Sequence, residues 1–515
     1  MWFLARVVAG TVGSNRGREW MRRRRASTGS ARPAGVPTDR TNREVYGPGL
    51  ADKSPFRPST IGPMDPRTTP ESRNSGRWRA FGPGLLFAGA AVGVSHVVQS
   101  TRGGAEMGTA AVVVVVVGCL VKWPAFRFGP HYAAVTGRSL LHGYRLQGRW
   151  VLASFALLTT AILFTTLAAV TVVTAGLLLS LAPPIQGVLE SSGVVSEPGR
   201  AAAVSAALLA LTAILLATGG YRLLEGLMKV VMPVLVIATL LVTVMAIRGL
   251  GGADLTIVPP IADPADRTMM AAMVGWMPAP IDIAVWSSLW TIARAKGRSM
   301  DRQRVLQDFD AGFVSTLVLA VLFVLLGAAV MRDSGVDFQG SSVGFSNQII
   351  DLYTTNLGDW SRPLIASVVF VAMLSTTVTV ADGFPRTVAA LFRAFGDTSP
   401  AGDGVSEATS GSTRCEGSPV VYWIVFLVGA IGAISILALG LARKNGITFT
   451  GLVDFVTVTS FIAAPVLAWF NHRSVFRSIT RVEDRPSRCW YVWSWFGISV
   501  LGAFATAYVV GRIAG

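Results

Sequence analysis

Charge is scarce in this sequence: Asp, Glu, Lys and Arg make up 14% of its 515 residues, against 51% hydrophobic, where an ordinary soluble domain carries about 25% charged residues. So little polar surface excludes a soluble globular fold. Cysteine is also scarce. Cys119, Cys415 and Cys489 are widely separated and form no CxxC pair, which excludes a disulfide framework and a thiolate metal site and leaves them structural or incidental. The sequence contains no GxxxxGK[ST] loop, no HExxH helix and no convincing nucleophile triad, so the chain reads as a non-enzyme needing no resident cofactor. Strict apolar/polar alternation is missing from the hydrophobic runs, and this excludes a membrane β-barrel.

What the chain does have is length in its apolar runs. A helix needs about 20 largely apolar residues to cross a hydrocarbon core about 30 Å thick, because every backbone N–H and C=O must be paired without water. Such runs lie near 83–101, 107–125, 151–180, 201–218, 225–247, 269–290, 311–331, 363–392, 420–440, 448–470 and 491–511. The expected fold class is therefore an all-α integral membrane protein with about eleven transmembrane helices.

The net charge of +16 is unevenly placed. Residues 1–80 hold the run Arg22–Arg25 and no sustained apolar segment, which predicts a disordered basic tail at a membrane surface rather than a nucleic-acid partner. The tail has no secretory h-region, and Met64 offers an alternative start. Loops after the second, sixth and tenth spans carry Arg127, Arg138, Arg145 and Arg149, then Arg294, Lys296, Arg298, Arg302 and Arg304, then Arg473, Arg477, Arg481, Arg485 and Arg488. By the positive-inside bias these loops and the N-terminus face the cytoplasm, and with eleven spans the C-terminus is extracytoplasmic. Arg443 and Lys444 in a predicted outer loop run against the trend. The expected location is an inner or cell membrane crossed many times. His131, His142 and His472 fall in predicted cytoplasmic loops, and Trp123, Trp150, Trp360 and Trp490 near span ends read as interfacial anchors.

Two spans are interrupted. The first runs through Gly82-Pro83-Gly84 to Gly93-Val94-Ser95-His96, where glycine weakens the helix and a mid-membrane histidine needs a polar partner. The sixth contains Gly275-Trp276-Met277-Pro278-Ala279-Pro280-Ile281-Asp282, and two prolines one residue apart remove two backbone donors. Unwound backbone inside a membrane is tolerated where it lines a cavity, and it then offers carbonyls and helix ends to a ligand. The two breaks begin two sets of about five helices, as an inverted repeat requires. The organisation that follows is a tail at 1–80, repeats at 81–250 and 265–470, and a cytoplasmic linker with an eleventh helix at 471–515.

An unpaired carboxylate in the bilayer is costly; Asp282 needs His96, a bound cation or a proton as partner. The eighth span carries a polar stripe of Ser375, Thr376, Thr377, Thr379 and Asp382. Its hydroxyls serve either packing or passage, and Asp382 either couples transport or pairs with Arg386. Asp454 and Glu225 lie near span starts and are either pathway groups or boundary residues.

At Gly82-Pro83-Gly84, at the two breaks and at Ser375–Thr379 the chain resembles the natural resistance-associated macrophage protein (Nramp) family of divalent-metal transporters, over roughly residues 80–512. The resemblance implies a LeuT-like 5+5 inverted repeat, with Gly93-Val94-Ser95-His96 in place of the family's Asp-Pro-Gly-Asn motif and Met277-Pro278-Ala279 in place of its Met-Pro-His. Gly93 stands where the family has a metal-binding aspartate, His96 where it has asparagine, and Ala279 where it has the histidine of the proton route. The third span has no acidic residue. The residues and the resemblance together give a candidate substrate site of Gly93, Ser95, His96, Val274, Met277 and Asp282, with His96, Met277 and the Val274 carbonyl as a soft metal set, and with Ser375, Thr379, Asp382 and Asp454 along the pathway. The expectation is a secondary transporter that imports a divalent transition metal as substrate; an amino acid or other small organic solute is the alternative, and a non-transporting receptor or sensor the third reading. The lipid bilayer is the partner in every case.

Overall fold

The computed structural model describes residues 82–194, 196–247, 257–295, 300–332, 339–396, 418–440 and 448–514. The basic tail, Cys415, Lys296, Arg298, Arg443 and Lys444 lie outside these residues, as does the side chain of Glu225.

The described chain is helical throughout. The first span is a composite: α1 (Pro83–Ala91), a π-helical turn (Val94–Ser100) and α2 (Thr101–Met107). There follow α3 (Ala110–Thr136), α4 (Leu140–Gln147), α5 (Arg149–Leu181), α6 (Pro183–Ser191) and α7 (Glu197–Ile247). The second half runs through α8 (Pro264–Trp276), α9 (Ile283–Ala295), α10 (Arg302–Val330), α11 (Ser342–Leu357), α12 (Arg362–Gly396), α13 (Pro419–Gly440), α14 (Phe449–Ser478) and α15 (Arg488–Ala514). Side-chain caps start several of them. Asp301 accepts from the N–H of Gln303 at 3.0 Å, Ser341 from Gly344 at 3.1 Å and Thr448 from Gly451 at 3.1 Å, each satisfying a backbone donor left free by the first turn.

Among the described residues nine helical stretches are long and apolar enough to cross a bilayer, fewer than the eleven read from the sequence. The sixth expected span is divided into α8 and α9, of 13 residues each, too short to cross alone. The fourth and fifth are joined in the single helix α7, whose described residues include the apolar stretch Met232–Ala246. The outward faces are greasy: Leu157, Ile214, Ile237, Leu241, Leu427 and Phe496 are all exposed, as a surface solvated by lipid tails requires. The chain is a multi-pass membrane protein.

Several helices run past their apolar stretches. Because α3 continues to Thr136 and α14 to Ser478, His131 and His472 are not loop residues; both are buried. His131 Nε2 lies 2.8 Å from the Asp484 carbonyl and His472 Nδ1 lies 2.7 Å from Ser494 Oγ. His142 is half-buried between Tyr132 and Arg138. Trp123 is likewise no end anchor, since it sits within α3 and donates to Asp310 at 3.0 Å. Trp150 and Trp360 do stand exposed at helix ends.

The first span is held at the centre by α10. A Cβ added at Gly84 would lie 2.0 Å from the Asp308 carbonyl oxygen, at Gly312 2.3 Å from that of Gly84, at Gly104 2.0 Å from that of Val324, and at Gly327 2.2 Å from that of Thr101. Two pairs of glycines thus bring the helices into backbone contact, the small-residue packing that replaces hydrophobic association inside a membrane. The Asp308 carboxylate accepts from the N–H groups of Gly82 and Gly84, both at 3.0 Å, and so caps α1 at its positive end.

Candidate functional site

The two breaks meet. α9 packs beside α1, and α8 beside the π-helical turn. In the first span the helix is lost at Val92 (φ −82°, ψ 83°) and Gly93 (φ −151°, ψ −125°), at the leading edge of the expected Gly93–His96. Thr376 of α12 fills the gap: its hydroxyl lies 2.9 Å from the Gly89 carbonyl oxygen and 2.8 Å from that of Val92, sharing one proton between acceptors freed by the break. A Cβ at Gly93 would come within 2.5 Å of Thr376 Cγ2. A side chain at position 93 therefore competes with Thr376 for the same space.

In the sixth span α8 stops at Trp276, Met277 is extended (φ −94°, ψ 119°), and α9 starts at Ile283. Residue 278 is proline, so the Val274 carbonyl lacks the N–H donor that a continuing helix would supply. Lys122 of α3 takes its place. Its Nζ donates to the carbonyl oxygens of Val274 at 2.8 Å, Gly275 at 3.0 Å and Ala279 at 2.7 Å, and the side chain is fully buried. Lys122 was legible as a lone charge in an apolar run, a signal by itself, although the run read simply as a span.

Between the breaks lies a small cavity lined by Ser95, Thr166, Trp276, Asp282, Trp286 and Thr376, with Phe384 and Pro280 among its apolar walls. Its free volume is about 20 Å³, room for about one water molecule. Three polar groups on it are buried without a hydrogen-bond partner among the described residues: both oxygens of Asp282, Trp286 Nε1 and Thr166 Oγ1. The Asp282 carboxylate faces the backbone N–H groups of Asp282 and Ile283 at the start of α9, but with no well-formed hydrogen bond. Thr166, Trp276 and Trp286 carry no signal that separates them from ordinary packing residues in a sequence; only the fold collects them.

Of the six residues expected at the substrate site, Ser95 and Asp282 line this cavity, whereas Gly93, His96, Val274 and Met277 stand behind it. His96 is fully buried, with Nε2 2.9 Å from the Thr316 carbonyl oxygen and Nδ1 2.8 Å from Ser95 Oγ. A carbonyl can only accept, so Nε2 carries the proton. Ser95 Oγ also approaches the Ala91 carbonyl closely. Met277 Sδ accepts from Ser100 Oγ at 3.5 Å. Each atom of the expected soft set, His96, Met277 and the Val274 carbonyl, is thus engaged within the protein, and among the described residues no group of three or more His, Cys, Asp or Glu could hold a metal ion.

The expected pathway residues separate. The hydroxyls of Ser375 and Thr379 donate to carbonyls of their own helix, at 2.7 Å to Ala372 and 2.6 Å to Ser375, which is back-bonding within a packed helix. Asp382 accepts from Arg386 Nη2 at 2.8 Å and Nε at 3.0 Å, from Tyr422 at 3.0 Å and from Trp290 Nε1 at 3.1 Å, a fully satisfied carboxylate joining α9, α12 and α13. Asp454 of α14 pairs with Arg102 of α2 and accepts from Gln99 at 3.1 Å.

No family model matches the chain. It is 31% identical over 440 residues to the uncharacterized protein PM0681 of Pasteurella multocida (strain Pm70), across 84% of this chain and 92% of that protein. The chain belongs to that protein's family. Its fold is similar to crystal structures of a manganese transporter of Eremococcus coleocola: two mutant forms superpose with TM-scores of 0.63 and 0.62, each at 14% identity over 87% of this chain and 90% of that one. It is also similar to the structure of MhsT in complex with L-phenylalanine, with a TM-score of 0.53 and 15% identity over 83% of this chain and 97% of that one. At such identities the likeness speaks for the fold, an all-α arrangement of the LeuT and Nramp type.

Proposed function

We propose that this chain is a secondary transporter, a divergent Nramp-like protein, that carries a small cation through the cavity between the two breaks, with Asp282 as counter-charge. One observation carries the reading: an unpaired carboxylate, an indole N–H and a hydroxyl converge on a buried cavity. Groups left unmatched in a membrane interior are costly and await a ligand. A divalent metal ion is the first substrate class, favoured by the likeness to a manganese transporter. The oxygen donors of Asp282, Ser95, Thr166 and Thr376 suit a hard ion such as Mn²⁺ or Mg²⁺, in place of a soft ion on His96 and Met277. Trp276, Trp286 and Phe384 around the same carboxylate favour a second reading, an organic ammonium such as that of an amino acid. The cavity is too small for an amino acid as it stands, so that reading requires a wider conformation.

The organisation in this reading is a LeuT-like 5+5 inverted repeat with halves at 81–250 and 265–470, a cytoplasmic N-terminus and an extracytoplasmic C-terminus. The matched positions of the breaks and the basic loops support it. Uptake by proteoliposomes across a panel of Mn²⁺, Mg²⁺, Co²⁺ and amino acids, for the wild type and Asp282→Asn, tests the function. Saturable uptake of one class that Asp282→Asn abolishes is expected. Failure of every cation and amino acid, or full uptake by Asp282→Asn, would sink the proposal.

A further inference from the structure

The Lys122 side chain is fully buried, and its head turns to carbonyls rather than to a carboxylate. Its aliphatic stem lies in the apolar interior, with Nζ 5.6 Å from the ring centre of Phe126, and its head is aimed at three carbonyl oxygens from both sides of the sixth-span break. Two of these belong to the last turn of α8, where carbonyls have no helical donor and the helix dipole is negative. The third belongs to the extended segment that follows. Carbonyls only accept, and a neutral amine offers two N–H groups, whereas an ammonium offers three. The geometry therefore calls for the charged form. All three ammonium hydrogens are then spent on the carbonyls.

We propose that this carbonyl cluster is a monovalent-cation site permanently occupied by Lys122, a tethered cation that holds the broken segment in place of a dissolved alkali ion. Three oxygens at 2.7 to 3.0 Å around one buried point are a ligand shell for a singly charged ion, and the α3 backbone delivers the charge without the entropy of capturing an ion from solution. The inference holds whatever solute the neighbouring cavity accepts. If the chain transports as proposed above, its cycle needs no alkali ion at this place.

Thermal unfolding of the purified full chain in detergent tests this apart from transport. The wild type should unfold at one temperature in NaCl, LiCl, KCl and choline chloride of equal ionic strength. Lys122→Ala should unfold roughly 5 °C or more lower, and n-propylammonium should restore the loss saturably by placing an ammonium and an alkyl chain in the vacated space, while tetramethylammonium, which has no N–H, should not. Saturable stabilisation of the wild type by Na⁺ or another alkali ion overturns the proposal. So does a folded Lys122→Ala that unfolds at the wild-type temperature or that no primary ammonium stabilises. If Lys122→Ala does not fold, the salt series on the wild type still decides: indifference to the alkali ions supports the tethered cation, and saturable dependence on one refutes it.

Discussion

Arg102 and Asp454 meet across α2 and α14 as a two-pronged ion pair, with Nη1 2.8 Å from Oδ1 and Nη2 3.3 Å from Oδ2. Gln99 bonds the same carboxylate at 3.1 Å and Thr457 at 3.2 Å, so the pair is one part of a polar clasp between the distal half of the first span and α14. The Arg102 side chain is 10% exposed and that of Asp454 29%, which places the pair between a surface bridge and a buried one. Asp454→Asn should therefore lower stability by about 1–2 kcal/mol. The charge-exchanged double variant Arg102→Asp/Asp454→Arg should recover part of that loss, and additive losses in the double-variant cycle would show that the pair is not coupled.

Asp282→Asn should separate stability from function. The carboxylate has no hydrogen-bond partner to lose among the described residues, and the neutral amide avoids burying a charge, so the variant should unfold at or above the wild-type temperature. Cation uptake should nevertheless be lost. A destabilised variant with normal uptake would make Asp282 a structural residue.

For His96 the outcome should be the reverse. Removing the imidazole empties a fully buried site and strands the Thr316 carbonyl, so His96→Ala should cost about 2–4 kcal/mol. His96→Gln, which keeps an N–H donor, should recover a good part of it. Metal binding measured by calorimetry on folded His96→Gln should match the wild type; a selective loss of Co²⁺ affinity would instead reinstate the imidazole as a ligand.

Gly93→Ala should destabilise through its clash with Thr376 by about 1–3 kcal/mol, and Thr376→Ala, which removes the two atoms lying 2.5 and 2.7 Å from the new Cβ, should relieve much of that clash. The same crowding predicts that Gly93→Asp alone creates no new metal affinity. Full metal binding gained by Gly93→Asp without a second change would show that Thr376 yields freely.

The membrane class, the approximate spans, and the two places where helix gives way were legible in residues 82–514, because each rests on local chemistry. Repeated long apolar runs without alternation pair their backbone groups inside a membrane as helices, and glycine and paired prolines act on the backbone where they stand. Asp282 was legible for the same reason, as a carboxylate with no neighbour in sequence to neutralise it. The use to which polar groups are put was decided elsewhere. Only the tertiary structure turns Asp382 onto Arg386, Trp290 and Tyr422, commits both nitrogens of His96, and sets Lys122 on the Val274 carbonyl expected as a metal ligand. Those partners lie far apart in the chain, and a hydrogen bond is assigned by which helices meet at which depth. Sequence spacing supplies the donors and acceptors; the packing of α3, α8 and α10 around the breaks determines which are already satisfied and which, at Asp282, Trp286 and Thr166, have no hydrogen-bond partner among the described residues.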